Sequence, residues 1–149
     1  MFTRGRTIER IIGNGNANFG VTFPELYLTK AEVLARSQDV EGAMAIVNMI
    51  RVNRIPNMPP DDPYTDLVTT SSEDALRKVL DERRIELAFG GQRWMDMKRL
   101  DAEGRMPEVL RYNVDTRAKD GSLPPKSPNY VFEIPGRVLL FNPEMTKNH

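Results

Sequence analysis

The sequence predicts an all-α fold, and three observations support this prediction. Apolar side chains recur at the three-to-four-residue spacing of a helix around positions 26–34, 43–50 and 76–88. The polar residues Ser37-Gln38-Asp39 separate the first two stretches, a Pro-rich segment separates the second from the third, and Gly90-Gly91 follows the third. The apolar run near the C-terminus is too interrupted by Pro to form a sheet by itself. We therefore expect helices joined by long irregular loops and followed by an extended C-terminal tail.

The composition excludes several classes of function. The 149 residues include 21 Lys and Arg, 21 Asp and Glu, one His and no Cys. A formal net charge of zero leaves no basic surplus for binding nucleic acid. Without Cys, and with its single His at position 149, the chain has no thiolate chemistry and lacks the usual general base. No apolar run is long enough to span a membrane, so we expect no transmembrane segment.

The N-terminal stretch, residues 1–23, is rich in Gly and Asn and shows no hydrophobic period, which predicts a loop or a truncated edge. Its glycines do not match the G-x-G-x-x-G spacing of a dinucleotide site, because position 18 is Asn. We therefore expect no cofactor.

Residues 24–54 are predicted to form a helical hairpin. The first helix starts at Pro24 and runs to about Ser37, and the second ends near Arg54, before Pro56. The polar break between them is short enough for an antiparallel pair. The residues expected to face inward are Leu26, Tyr27, Ala31 and Leu34 in the first helix and Ala43, Ile46, Val47 and Ile50 in the second.

The spacing of small residues in this hairpin is tetratricopeptide-like. Ala31 and Ala43 stand where two antiparallel helices must approach closely, although Gln38 occupies a turn position at which such repeats often use Gly. A generic helical hairpin would use Ala in the same way, so the spacing alone leaves both interpretations open.

Two more helices are predicted after a Pro-rich connector at residues 56–63. The helix over residues 72–90 is capped by Ser71 or Ser72 and stopped by Gly90 and Gly91. The apolar side chains assigned to it are Leu76, Val79, Leu80, Leu87 and Ala88. The helix over residues 92–100 is expected to direct Trp94, Met97 and Leu100 inward.

Residues 101–149 are predicted to be a loop-rich tail. Gly and Pro punctuate this segment, and the weak apolar cluster of Val109 and Leu110 suggests one short helical turn. The apolar residues from Tyr130 to Pro143 are expected to dock as an extended, tethered chain.

Charged residues in the third helix allow two interpretations. Glu82 and Glu86 share a helix face, as a carboxylate pair for metal or acid–base chemistry would require, but no His completes such a site. The favoured interpretation is a structural network of arginines and carboxylates. Its expected members, with the adjacent tryptophan, are Glu82, Arg83, Arg84, Glu86, Arg93, Trp94 and Asp96.

Trp94 also allows two interpretations. Its indole face could stack against a sugar, or it could fill the core, and its helical spacing with Met97 favours burial. No residue is assigned to a ligand on this basis.

Several segments together resemble the C-terminal part of the SusD/RagB family. The most specific resemblance is the block from Glu82 to Arg99, which includes the segments ERRIELAF and GQRWMDMKR. The segments LYLTKAEVLAR from Leu26, VNMIR from Val47, Ile134-Pro135 and Asn142-Pro143 occur in the family's order.

The resemblance implies a nutrient-binding protein and not an enzyme. Members of the family are cell-surface lipoproteins of Bacteroidetes that bind glycans or other nutrients. They sit over a TonB-dependent, SusC-like transporter of the outer membrane. The expected partners are therefore an oligosaccharide or other nutrient and this transporter.

Family members are several times longer than this chain and begin with a lipoprotein signal and a lipid-modified Cys, which this sequence lacks. We therefore expect a C-terminal fragment, with most ligand residues outside it. The alternative is a stand-alone tetratricopeptide-like adaptor that binds a protein or peptide. An enzyme using Glu82 and Glu86 is a third, remote hypothesis.

Overall fold

The computed structural model describes residues 20–54 and 64–148, and it is mostly helical, so the predicted all-α, tetratricopeptide-like fold is confirmed. The chain divides into two compact units, one ending at Ala88 and the other starting at Phe89. Two predicted segments lie outside the described residues: the N-terminal loop up to position 19, and the Pro-rich connector at residues 56–63.

The first unit is a three-helix assembly. Helix α1 spans Phe23–Arg36, α2 spans Val40–Val52 and α3 spans Ser72–Glu86. Helices α1 and α2 form the predicted hairpin, and α3 packs against both of them. The buried core consists of Leu28, Ala31 and Ala35 of α1, Ala43, Met44, Ile46, Val47 and Ile50 of α2, and Ala75, Leu76 and Val79 of α3.

The inward face of α2 agrees with the sequence prediction, but the prediction for α1 was partly wrong. Leu26 and Tyr27, expected to face inward, are 55% and 43% exposed. Leu28 is fully buried instead and shares its helix face with Ala31 and Ala35. Packing of α1 against two helices, rather than one, selects the face made by residues 28, 31 and 35.

Side-chain caps define where the three helices begin. The hydroxyl of Thr22 accepts a hydrogen bond from the Glu25 amide at 3.4 Å, and the Asp39 carboxylate accepts one from the Gly42 amide at 2.9 Å. Ser71, one of the two predicted caps of α3, accepts from the Asp74 amide at 3.4 Å. Each cap satisfies an amide that has no partner within its helix.

Helix α3 ends at Glu86, four residues before the predicted end at residue 90. The chain turns at Phe89, whose φ of +66° is left-handed, and again at Gly91, with φ of +80°. Ala88, assigned to the apolar face of this helix, is exposed as a result. The helix therefore stops before the two glycines, which lie in the following turn.

The second unit begins with α4, Arg93–Ala102, which starts one residue later and ends two residues later than predicted. Met97 and Leu100 are buried, as expected. The strands β1, Val109–Tyr112, and β2, Lys119–Leu123, pair in antiparallel fashion, with Val109 opposite Leu123. A 3₁₀ turn at Pro128–Tyr130 and helix α5 at Gly136–Phe141 complete this unit.

Two local predictions for the tail were wrong. Val109 and Leu110 belong to strand β1, not to a helical turn, because the chain folds back on itself after Tyr112. The Asn113 side chain stabilises this turn by accepting from the amides of Asp115 and Thr116, both at 2.9 Å. The segment Gly136–Phe141, expected to be extended, forms a short helix.

No helix in the described ranges, 20–54 and 64–148, is both long enough and apolar enough to cross a membrane.

The turn between α1 and α2 generates a testable prediction. Gln38 has a φ of +69° and an exposed side chain, so it adopts a strained left-handed backbone without making a compensating buried contact. We expect Gln38→Gly to stabilise the chain by about 0.5–1 kcal/mol, measured as the free energy of unfolding in urea. Gln38→Ala retains the Cβ and is the matched control, for which no stabilisation is expected. Equal stability of the two variants would contradict the strain argument.

Candidate functional site

The carboxylates of Glu82 and Glu86 form ion pairs between α3 and the end of α2. Glu82 is 3.0 Å from the Nη1 atom of Arg51, and the Glu82 side chain is only 6% exposed. Glu86 accepts from the Nε and Nη2 atoms of Arg54 at 2.7–3.1 Å, in a bidentate arrangement. The two arginines, three positions apart, match the four-residue spacing of the two glutamates. The sequence analysis did not single out these arginines as partners.

This pairing determines what the two carboxylates can do chemically. Burial disfavours the charged form of Arg51 and so lowers its pKa. The hydrogen bonds and charge interactions of Arg51 with Glu82 and Tyr64 outweigh this effect, and the net result is a raised pKa. The hydrogen bonds from Glu86 likewise raise the pKa of Arg54. Each carboxylate therefore faces a permanent positive charge. Within the part of the chain that the structure describes, no group of three or more His, Cys, Asp or Glu residues could hold a metal ion.

The two consecutive arginines of α3 have different environments. Arg83 is buried and faces α1, where its Nη1 atom donates to the Thr29 hydroxyl at 3.3 Å and its Nη2 atom lies 4.0 Å from the Glu25 carboxylate. Arg84 is exposed and lies 4.0 Å from Asp81 of its own helix. Thus Arg83 joins α3 to α1, whereas the ion pair of Arg84 remains within α3.

A residue that the sequence analysis did not select, Asn48, attaches the segment before α3 to α2. Its side-chain oxygen accepts from the Leu67 amide at 2.9 Å, and its nitrogen donates to the Leu67 carbonyl at 3.0 Å. The Tyr64 hydroxyl donates to the same oxygen at 3.2 Å. Burial raises the pKa of Tyr64, and a hydrogen bond with Asp66 adds to this effect.

In the second unit, three aromatic rings form a continuous stack. The centroid of Trp94 lies 6.0 Å from that of Tyr130 and 5.1 Å from that of Phe132, with interplanar angles of 29° and 26°. Tyr130 is 5% exposed and Phe132 is 75% exposed, and Trp94, which stacks with both, is half-buried. The stack therefore leads from the interior of this unit to its surface, so Trp94 combines features of both interpretations made from the sequence.

Charged groups flank the inner end of this aromatic stack. Burial raises the pKa of Tyr130, the negative charge of Asp101 adds to this effect, and the positive charge of Arg93 opposes it. Arg93 is exposed at the first position of α4. Asp96 is buried in the same helix and accepts from the Nε atom of Arg99 at 2.9 Å. The arrangement offers an aromatic surface with charges nearby, which suits non-covalent binding of a small polar ligand.

The ion pairs between α2 and α3 generate a second prediction. Glu82→Gln leaves the charge of Arg51 facing a neutral group in a mostly buried position. We expect it to lower the free energy of unfolding by about 1–3 kcal/mol, measured by urea denaturation followed by circular dichroism. Glu86→Gln is the matched control, because the Arg54 side chain is 56% exposed, and its expected cost is about 0–1 kcal/mol. A loss that is equally small in both variants would show that the buried pair does not stabilise the fold.

Comparison with known proteins agrees with the resemblance seen in the sequence motifs. The family model that describes the sequences of the SusD family matches residues 13–149, and this range includes all the described residues of both units. Searches of curated proteins and of solved structures found no match. The proteins of this family bind carbohydrates, and they are typically lipoproteins of the cell surface. Because the match spans most of the sequence, the chain belongs to the SusD/RagB family.

Proposed function

We propose that this protein captures glycans at the cell surface, as part of a lipid-anchored outer-membrane protein, and passes them to a TonB-dependent transporter of the SusC type. The observation that carries the proposal is the family match over residues 13–149. The family supports binding of glycans or other nutrients in general. The transporter partnership and the role in uptake are the steps that we add.

The geometry supports a binding protein rather than a catalyst. The carboxylates that share a face of α3 are each neutralised by an arginine, so neither is arranged as a free general acid or base. The aromatic stack in the second unit provides an apolar surface of the kind that sugars contact. Capture followed by release requires reversible binding, so we expect dissociation constants in the micromolar to millimolar range, or about 4–8 kcal/mol of binding free energy.

A second candidate function, a protein or peptide adaptor, is favoured by one surface of the first unit. Phe23 and Tyr27 of α1 and Met49 of α2 are exposed and line a shallow pocket of about 180 Å³. Tetratricopeptide-like repeats commonly present such surfaces to other proteins. Under this alternative, the chain would bind a peptide at this pocket and would bind no glycan.

The proposed function predicts that the chain binds oligosaccharides. We expect its migration in native gels to be retarded by at least one soluble polysaccharide in a panel of glucans, xylans, mannans and galactans. Isothermal titration calorimetry with the matching hexasaccharide should then give a measurable affinity. An unrelated protein of similar size and charge serves as the control. Failure to bind any member of the panel, by either method, would contradict glycan capture.

A second consequence of the proposal concerns the transporter. When the protein is produced together with each SusC-type TonB-dependent transporter of its own genome in turn, we expect one of them to co-purify with it from detergent-solubilised outer membranes. The other transporters of the same genome are the controls, and they should not co-purify. Equal recovery of all the transporters, or of none, would contradict a specific partnership.

A further inference from the structure

The exposed end of the aromatic stack has an unusual combination of exposure and order. The ring of Phe132 is 75% exposed, and its inner side stacks on Trp94 at a centroid distance of 5.1 Å. Trp94 in turn stacks on Tyr130, which is buried. A surface phenylalanine normally loses rotamer freedom when it binds a ligand, and stacking on a second ring removes much of that cost before binding occurs.

The backbone that carries Phe132 is also held in place. The side-chain nitrogen of Asn148 donates to the Phe132 carbonyl at 3.0 Å, and the Ile134 amide donates to the Asn148 side-chain oxygen at 3.0 Å. One residue before Phe132, the Val131 amide donates to the Pro128 carbonyl at 2.9 Å. The segment is therefore tied down on both sides of Phe132, although it belongs to neither a regular helix nor a strand.

Exposed charged residues neighbour Phe132 and its backbone partner Asn148 in the sequence. Glu133 follows Phe132 in the chain, Lys147 precedes Asn148, and their charged atoms are 3.7 Å apart. Both side chains are 58% exposed. A carboxylate that accepts hydrogen bonds and an ammonium group that donates them are what the hydroxyl groups of a sugar require at the edge of an aromatic surface.

From this arrangement we infer that Phe132, supported by Trp94, is a stacking platform for one pyranose ring of a bound glycan, with Glu133 and Lys147 contacting its hydroxyl groups. The apolar C–H face of the sugar covers the outer face of the phenyl ring, and the sugar's hydroxyl groups remain in contact with polar side chains and water. This inference rests on the proposed function and names a site for it. No covalent step is involved.

The platform has a built-in reporter, because Trp94 is the only tryptophan in the sequence and its ring stacks with that of Phe132. A sugar that covers Phe132 and reduces its exposure to water should change the Trp94 emission. Titration of the full chain with the hexasaccharide that the wild-type chain binds best therefore measures occupancy of this site.

The test compares variants of this ring by fluorescence titration and calorimetry. We expect Phe132→Ala to weaken hexasaccharide binding at least tenfold and to abolish the emission change, whereas Phe132→Trp should retain the affinity in calorimetry.

Because the ring is mostly exposed, Phe132→Ala should leave the circular dichroism spectrum unchanged. Phe141→Ala is the matched control, since Phe141 is 72% exposed in the same unit and stacks on no other aromatic ring within residues 64–148. Its affinity should equal that of the wild type.

The outcomes separate the two proposals. If wild type and Phe132→Ala bind the glycan equally, the platform is wrong and glycan capture stands. If the wild type binds no member of the panel, both are contradicted. If Phe132→Ala abolishes transporter co-purification but not glycan binding, the exposed ring is a protein contact and the platform is again wrong.

Discussion

The close approach of three helices in the first unit is the constraint on which its other interactions depend. Each helix contributes a fully buried alanine to the core, namely Ala31 of α1, Ala43 of α2 and Ala75 of α3. A larger side chain at any of these positions would separate helices that pack at the density of a protein interior. The ion pair between Arg51 and Glu82 spans 3.0 Å between two of these helices, so it forms only when they are close.

Side chains that bind backbone groups hold the irregular segments of both units. Asn48 attaches the segment before α3 through both backbone groups of Leu67, and Asn148 holds the segment carrying Phe132 through the Phe132 carbonyl and the Ile134 amide. In the second unit, the amide of Lys126 donates to the Asp101 carboxylate at 2.8 Å. Such contacts satisfy backbone groups that have no helix or strand partner. They allow a loop to present a side chain in a defined position, as a binding site requires.

Local sequence signals predicted the features that depend on a few neighbouring residues. The cap at Ser71 and the inward face of α2 follow from residue types and from helical spacing within one segment. Two of the errors fell where distant segments intervene. Strand β1 exists because it pairs with β2, about ten residues later, and the same apolar residues in isolation suggested a helical turn. The inward face of α1 was misjudged because α3 packs against that helix as well.

The sequence by itself determined the helical class of the fold, the starts of α1 and α3 to within one residue and the family to which the chain belongs, because these properties reside in local propensity and in short motifs. Only the tertiary structure decided which charges and rings meet. Arg51 and Glu82 are 31 positions apart in the sequence. Trp94 stacks on Phe132 although both strands, β1 and β2, lie between these two residues in the sequence. Contacts of this kind depend on how whole elements pack, and the spacing of residues along one element contains no information about its partner.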